Sequence, residues 1–272
     1  MHIQRGAWAE INLDAVAHNV QMAKANLKPT TKLCAVVKAD AYGHGAVRVA
    51  QEAARNGADF FAVALLQEGV KLREAGIETP ILVLGSMLPE VAEICVRYDI
   101  SHAVFDEERL YALNAAALKL HTKAKIHIKI DTGMHRIGVH VRDAGRFAKL
   151  AASLPGIYIE GVFSHFATAD ADDKQYAAYQ FERFQEALRL IEAEGVHIPI
   201  RHIANSAALT ELQEYQLDMV RQGITLYGLH PAHMIDCYKD FEPVMTVKTQ
   251  VAFVKTLPPG ETIGYGRTLS LI

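Results

Sequence analysis

The chain has 272 residues, half of them hydrophobic, with a net charge of -3 and a pI near 6.5. Such a composition supplies one large core, or one core with a small satellite, and excludes a disordered or fibrous protein and a basic face for nucleic acid. Cys34, Cys95 and Cys237 are far apart and form no CxxC pair, which argues against a disulfide framework or a zinc site and fits a reducing cytoplasm.

The N-terminus has no apolar leader, and no later stretch approaches the roughly 20 apolar residues of a bilayer span, so the protein is expected to be neither secreted nor embedded. Residues 8–13 (Trp-Ala-Glu-Ile-Asn-Leu) read as a strand, with Asp14 placed to cap a helix over 15–25. Short apolar, β-branched runs then follow at 33–37, 60–64, 81–84, 102–105, 126–131, 159–164, 201–205 and 218–227, most of them separated by helical periodicity such as 46–56 and 176–194. Eight strands alternating with helices match a (β/α)8 TIM barrel. An open doubly wound sheet shares the local pattern but gives no reason to stop at eight, and its glycine fingerprint after the first strand is absent. From 245 to 254 the pattern becomes alternation, followed by a turn at Pro258-Pro259-Gly260 and an extended stretch through Gly264-Tyr265-Gly266. This reads as the opening of an antiparallel β-domain. The organisation expected is a barrel over 13–236, with 1–12 and 237–272 forming a partial β-domain. A unit of about 35 residues can hardly hold a core alone, so the chain reads as cut short. There is no internal repeat or low-complexity tract.

Barrel active sites lie at the C-terminal ends of the strands, which directs attention to the polar residue ending each run. Lys38 ends Val36-Val37-Lys38. In isolation it reads as a solvated rim lysine or as a Schiff-base lysine. Tyr42, four residues on in Tyr42-Gly-His-Gly45, comes near it if the segment curls into a helical turn. Phosphate in barrels is often bound by the loops after the seventh and eighth strands, where Ser206, Gly223 and Ile224 suit the purpose; singly, they are equally ordinary cap and turn residues. Arg221 lies within an apolar strand, a costly place for a charge without partner or ligand, and His165 and His202 are candidate partners. Alternation puts Lys129 and Asp131 on one face, sending a lysine toward the barrel mouth. A second cation there needs balancing, by a carboxylate or by chemical change to Lys129. The 13 histidines show neither HExxH nor a comparable ligand spacing, so no metal is expected.

Together, Ala35-Val-Val-Lys-Ala-Asp-Ala-Tyr-Gly-His-Gly45, Lys129-Ile-Asp-Thr-Gly-Met-His-Arg-Ile-Gly138, Ser164-His-Phe-Ala-Thr-Ala-Asp170, His202-Ile-Ala-Asn-Ser-Ala207 and Arg221-Gln-Gly-Ile-Thr-Leu-Tyr-Gly228 closely resemble the bacterial alanine racemase family, over the whole chain and in order. The resemblance implies a barrel holding pyridoxal 5'-phosphate, a C-terminal β-domain, and a homodimer whose sites are completed by the partner subunit. Lys38 resembles the lysine that links to the cofactor, and Tyr265 the opposing base supplied by the partner. Tyr42, Ser206, Gly223 and Ile224 resemble the phosphate ligands, with Asn205 beside them. Arg221 resembles the arginine facing the pyridine nitrogen, with His165 and His202 in the hydrogen-bond chain behind it. Arg136 resembles the residue near the phenolic oxygen and substrate, and Lys129 matches a lysine that many members carbamylate.

The implied activity is interconversion of L- and D-alanine by two bases, Lys38 serving the D- and Tyr265 the L-substrate, supplying D-alanine for peptidoglycan. A charged Arg221 at the ring nitrogen disfavours its protonation and limits transamination. Tyr265 has to act far below a tyrosine's usual pKa of about 10, which gives neighbouring cations and the His165 network a task. The family's β-domain runs about another hundred residues, so the chain is expected to be C-terminally truncated, with dimerisation and turnover dependent on what remains. Other readings of these residues are a pyridoxal-phosphate barrel decarboxylase, a racemase of different specificity, and a cofactor-holding barrel without turnover.

Overall fold

The computed structural model describes residues 6–231 and 238–270; Cys237 and the expected boundary at 236/237 lie outside them. The chain divides into two compact units, Asn12–Val244 and a small unit built from Met1–Ile11 with Met245–Ile272. In chain order the strands are β1 (Ala7–Ile11), β2 (Lys32–Val36), β3 (Phe60–Val63), β4 (Ile81–Val83), β5 (Ser101–Val104), β6 (Ala124–Asp131), β7 (Val139–His140), β8 (Ile157–Phe163), β9 (Ile200–His202) and β10 (Met219–Gln222), then β11 (Met245–Thr249), β12 (Thr262–Ile263) and β13 (Leu269–Ser270).

In the large unit eight strands pair in parallel in the order β10-β2-β3-β4-β5-β6-β8-β9, with β7 a short addition to β6. The two end strands meet. Asp218 N–H donates to Arg201 O at 3.0 Å and Arg221 N–H to Ala204 O at 3.1 Å, so β9 and β10 face each other and the sheet closes into the expected barrel. Cys34, Val36, Phe60, Ala62, Leu82, Ile200 and Met219 form one buried cluster. Helices follow most strands, including Ala46–Arg55, Leu66–Glu74, Glu107–Lys119 and Gln175–Ala193. No helix among the described residues is long and apolar enough to cross a membrane.

Four local expectations are corrected. The first helix, Leu13–Ala25, is capped by Asn12, whose Oδ1 accepts from Asp14 N and Ala15 N at 3.0 and 3.2 Å; Asp14 instead occupies the first turn, where its charge suits the helix dipole. The eighth barrel strand stops at Gln222 because Gly223, at φ -106 and ψ -97, leaves the extended region, and Ile224–Tyr227 coils into a 3-10 turn. The turn after Lys38 is left-handed: Ala39, Asp40, Ala41 and Tyr42 all have φ between 51 and 55. Such a conformation costs roughly 1–2 kcal/mol per non-glycine residue. Here it is held by its surroundings, with Glu68 Oε1 accepting from Ala39 N at 2.6 Å and Asp40 Oδ1 from Ala46 N at 3.0 Å.

The fourth correction concerns the small unit, where β1 pairs antiparallel with β11, Ala7 opposite Thr249 and Ile11 opposite Met245, and β12 pairs with β13. The alternating strand ends at Thr249 rather than near 254, and Tyr265 opens a 3-10 turn instead of lying in an extended stretch. Gly264 and Gly266, at φ 77 and 72, take backbone conformations that interrupt extension.

Candidate active site

At the C-terminal ends of the barrel strands lie two cavities of about 300 and 340 Å3, both lined by Lys38, Leu84, His165 and Arg221. The first also takes in Tyr42, Asn205, Ser206, Gly223 and Ile224; the second adds Lys129 and Arg136. A larger apolar groove of about 490 Å3, bounded by Leu65, Leu88 and Ile94, contains none of the residues singled out from sequence.

One end of the first cavity gathers hydroxyl groups around a glycine. Ser206 Oγ is fixed by Gly223 N–H at 2.8 Å and by Thr225 N and Oγ1 at 3.4 and 3.2 Å. A Cβ on Gly223 would sit 3.7 Å from Ser206 Oγ and 3.9 Å from Tyr42 Oη, so glycine leaves open the small space between the two hydroxyls. Asn205, whose role was open in the sequence, is the N-cap of Ser206–Glu211: its Oδ1 accepts from Ala208 N at 3.1 Å. Tyr42 packs edge-on against Tyr227 at 5.2 Å, and Lys38 Nζ lies 5.8 Å from the Tyr42 ring. Burial pushes the Tyr42 phenol up, keeping it a neutral donor.

Arg221 is 3% exposed and fully engaged on the barrel side. Its Nη1 donates to His202 Nδ1 at 2.6 Å, and its Nη2 to Ser164 O at 2.9 Å and to His165 Nδ1 and Ile203 O at 3.0 Å. Burial brings its pKa down to about 10, which leaves it charged at neutral pH. Burial, then Arg221 itself, holds His165 and His202 well below the ordinary imidazole value, so both are neutral. Phe163 stacks on His202 with centroids 4.9 Å apart and the planes 7° from parallel.

Two residues behind this cluster escaped the sequence reading. His202 Nε2 lies 2.9 Å from His127 Nδ1, and His127 Nε2 lies 3.0 Å from Glu160 Oε2, which also accepts from Ser101 Oγ. His127 had a signal, since it shares a strand face with Lys129 two residues on. Glu160 had none: alternation from Phe163 points it outward, but the register passes from Ile126↔Ile159 to His127↔Gly161, and this bulge turns it in.

Lys129 is 5% exposed and donates to Ile130 O at 3.0 Å. Burial first, then the Arg221 charge, lowers its pKa to about 7 despite the opposing pull of Asp131. Asp131 is the nearest carboxylate on its strand, but it is turned away: Oδ1 accepts from Gly133 N and His135 N, and Oδ2 pairs with His135 at 2.9 Å. Tyr265 belongs to the small unit, where its side chain is fully exposed.

The family model for the alanine racemase N-terminal domain matches residues 11–231. The chain belongs to the alanine racemase family. It is therefore an isomerase of the racemase type. It is 46% identical over 262 residues to the alanine racemase of Desulfovibrio desulfuricans, a match covering 96% of this chain and 71% of the relative. To the alanine racemase of Halothermothrix orenii it is 45% identical, covering 98% and 70%. Among solved structures, alanine racemase from Clostridium difficile superposes with a TM-score of 0.93 at 38% identity, over 99% of this chain and 71% of that one. The Bacillus anthracis alanine racemase with bound L-Ala-P gives 0.91 at 36% identity, over 100% and 71%.

Proposed function

We propose that the chain is a pyridoxal 5'-phosphate-dependent alanine racemase that works as a homodimer in the cytoplasm, interconverts L- and D-alanine with two bases, and supplies D-alanine for peptidoglycan. The observation that carries the cofactor reading is the placement of Lys38, the Ser206–Gly223 cradle and the buried Arg221 cation around one pair of adjoining cavities. The donor set matches the group's three polar ends. Tyr42 Oη, Ser206 Oγ, the N–H of Ile224 and the open space over Gly223 suit a phosphate, Arg221 suits an unprotonated ring nitrogen, and Arg136 suits the phenolic oxygen and the substrate carboxylate. Lys38 would hold the cofactor covalently through its Nζ. We assign the barrel as the cofactor domain and the small β-unit as the carrier of the second base.

When bound, pyridoxal 5'-phosphate supplies an electron sink that acidifies the α-hydrogen of the attached amino acid. The chain's own residues then move the proton and fix the outcome. Lys38 Nζ moves it on one face, for the D-substrate, and Tyr265 Oη of a second copy moves it on the other, for the L-substrate; inversion needs a base on each side. Arg221 offers only donors, so it discourages a proton at the ring nitrogen and steers the reaction from transamination. Burial lowers the Lys129 pKa to about 7, so its neutral amine can take up carbon dioxide with release of a proton, and the carbamate would balance Arg136 and Arg221.

The test combines absorbance and chirality. Wild-type protein is expected to show the band of lysine-linked cofactor and to racemise L-alanine, with both lost in Lys38→Ala. Cofactor binding without turnover would reduce the chain to a cofactor-holding barrel, and faster turnover of another amino acid would change the substrate.

A further inference from the structure

The polarity of the buried chain behind Arg221 is determined at both ends. A guanidinium donates and never accepts, so the contact at 2.6 Å requires His202 Nδ1 to be an acceptor. Neutral His202 then carries its proton on Nε2 and donates to His127 Nδ1 at 2.9 Å. His127 in turn carries its proton on Nε2, which points at Glu160 Oε2 at 3.0 Å. A carboxylate only accepts, so the far end closes the sequence without a mismatch. The hydroxyl of Ser101 donates to the same carboxylate.

We propose that Glu160, acting through His127, fixes the tautomer of His202 and so holds Arg221 oriented toward the cofactor site; Glu160 and His127 are positioning residues for racemisation, reaching it from the N-terminal side of the barrel. Only the link to racemisation rests on the function proposed above. Reversing either ring sets N–H against N–H, and at Arg221 this happens between buried groups, where an unmatched donor is costly.

Two features of β8 serve this arrangement. The bulge at Glu160 puts its side chain inside the barrel. The next residue, Gly161, is required where it stands, since a Cβ there would lie 2.5 Å from His127 Nδ1, the nitrogen that accepts from His202. Phe163 on the same strand clamps the His202 ring. With side-chain exposure of 13%, Glu160 is the member of the relay nearest solvent, and Lys125, paired to Asp99 at 2.7 Å, contributes positive charge beside it.

The decisive measurement is long-range 1H–15N correlation on the wild-type protein at pH 7 without cofactor, with signals assigned by His127→Gln and His202→Gln. Both rings are expected as neutral Nε2–H tautomers. Finding either as Nδ1–H or as imidazolium overturns the proposal. On the cofactor-loaded protein, Glu160→Gln, which keeps an acceptor for His127, should hold the His202 tautomer and kcat near wild type. Glu160→Leu, which keeps none, should give mixed His202 tautomers and lower kcat about 10-fold, as for other residues that orient a reacting group from behind, with KM little changed. A folded Glu160→Leu protein with an unaltered His202 tautomer and kcat also overturns it. Should Glu160→Leu fail to fold, the wild-type tautomers and the Gln variant decide. Absence of turnover in the wild type would strike the proposed function while the tautomer result still stood.

Discussion

Arg221 meets His202 Nδ1 at 2.6 Å with one terminal nitrogen and three further acceptors, Ser164 O, His165 Nδ1 and Ile203 O, at 2.9 to 3.0 Å with the other. The cation is thus set in position by the barrel itself. Replacing it by Met orphans buried acceptors on β9 and after β8, and the expected loss is about 2 kcal/mol of stability in urea unfolding. An Arg221→Met protein as stable as wild type would show that these bonds hold nothing.

Gly223→Ala separates binding from folding. A methyl added there makes only ordinary contacts, with Ser206 Oγ at 3.7 Å and Tyr42 Oη at 3.9 Å. It nevertheless fills the proposed phosphate cradle. Fluorescence titration should show pyridoxal 5'-phosphate binding weakened by about 10-fold, equivalent to roughly 1.4 kcal/mol, with the melting temperature unchanged.

Lys129 gives a pH signature. Its folded pKa of about 7 lies below its ordinary 10.5, so between those values the unfolded chain binds the extra proton and stability rises with pH, by at most about 1.4 kcal/mol per unit. Below pH 7 the full penalty of its burial is present. Lys129→Met should flatten the slope of unfolding free energy across pH 7 to 9. In 13C-bicarbonate the wild type should also show a carbamate carbon signal that Lys129→Ala lacks.

How much of the fold and site could be read from the chain differs by residue. The eight apolar runs identified the barrel, and the polar residues at their ends singled out Lys38, His165 and Ser206 as candidates, because strand-end position is a local property; Arg221 stood out as a charge inside an apolar run. The left-handed turn over Ala39–Tyr42 was invisible, since none of its four residues is a glycine and the conformation is imposed from outside by Glu68 and Ala46. Glu160 was hidden by a bulge, which breaks the two-residue alternation on which strand reading depends. Asn12 and Asp14 are both good caps; the one whose side chain reached the first free N–H groups prevailed.

The neutral histidines predict acid sensitivity. Burial, then Arg221, depresses His165 and His202, so the unfolded chain takes up protons from about pH 6.5 downward while the folded one does not. Stability falls as pH drops through that range. His202→Gln should reduce the slope of unfolding free energy between pH 6.5 and 5 by up to about one proton, whatever its cost at neutral pH. An unchanged slope would mean that His202 is charged in the fold.

The central claim is that this barrel rim racemises alanine on lysine-linked cofactor. Its most direct test is to incubate the cofactor-loaded protein with L-alanine in D2O, with its size in solution measured alongside, and to follow chirality and α-deuterium together. The account predicts D-alanine with deuterium at Cα, in wild type and not in Lys38→Ala. Alanine recovered as the L-form with its α-hydrogen intact, from protein that shows the lysine-linked cofactor band, would contradict it.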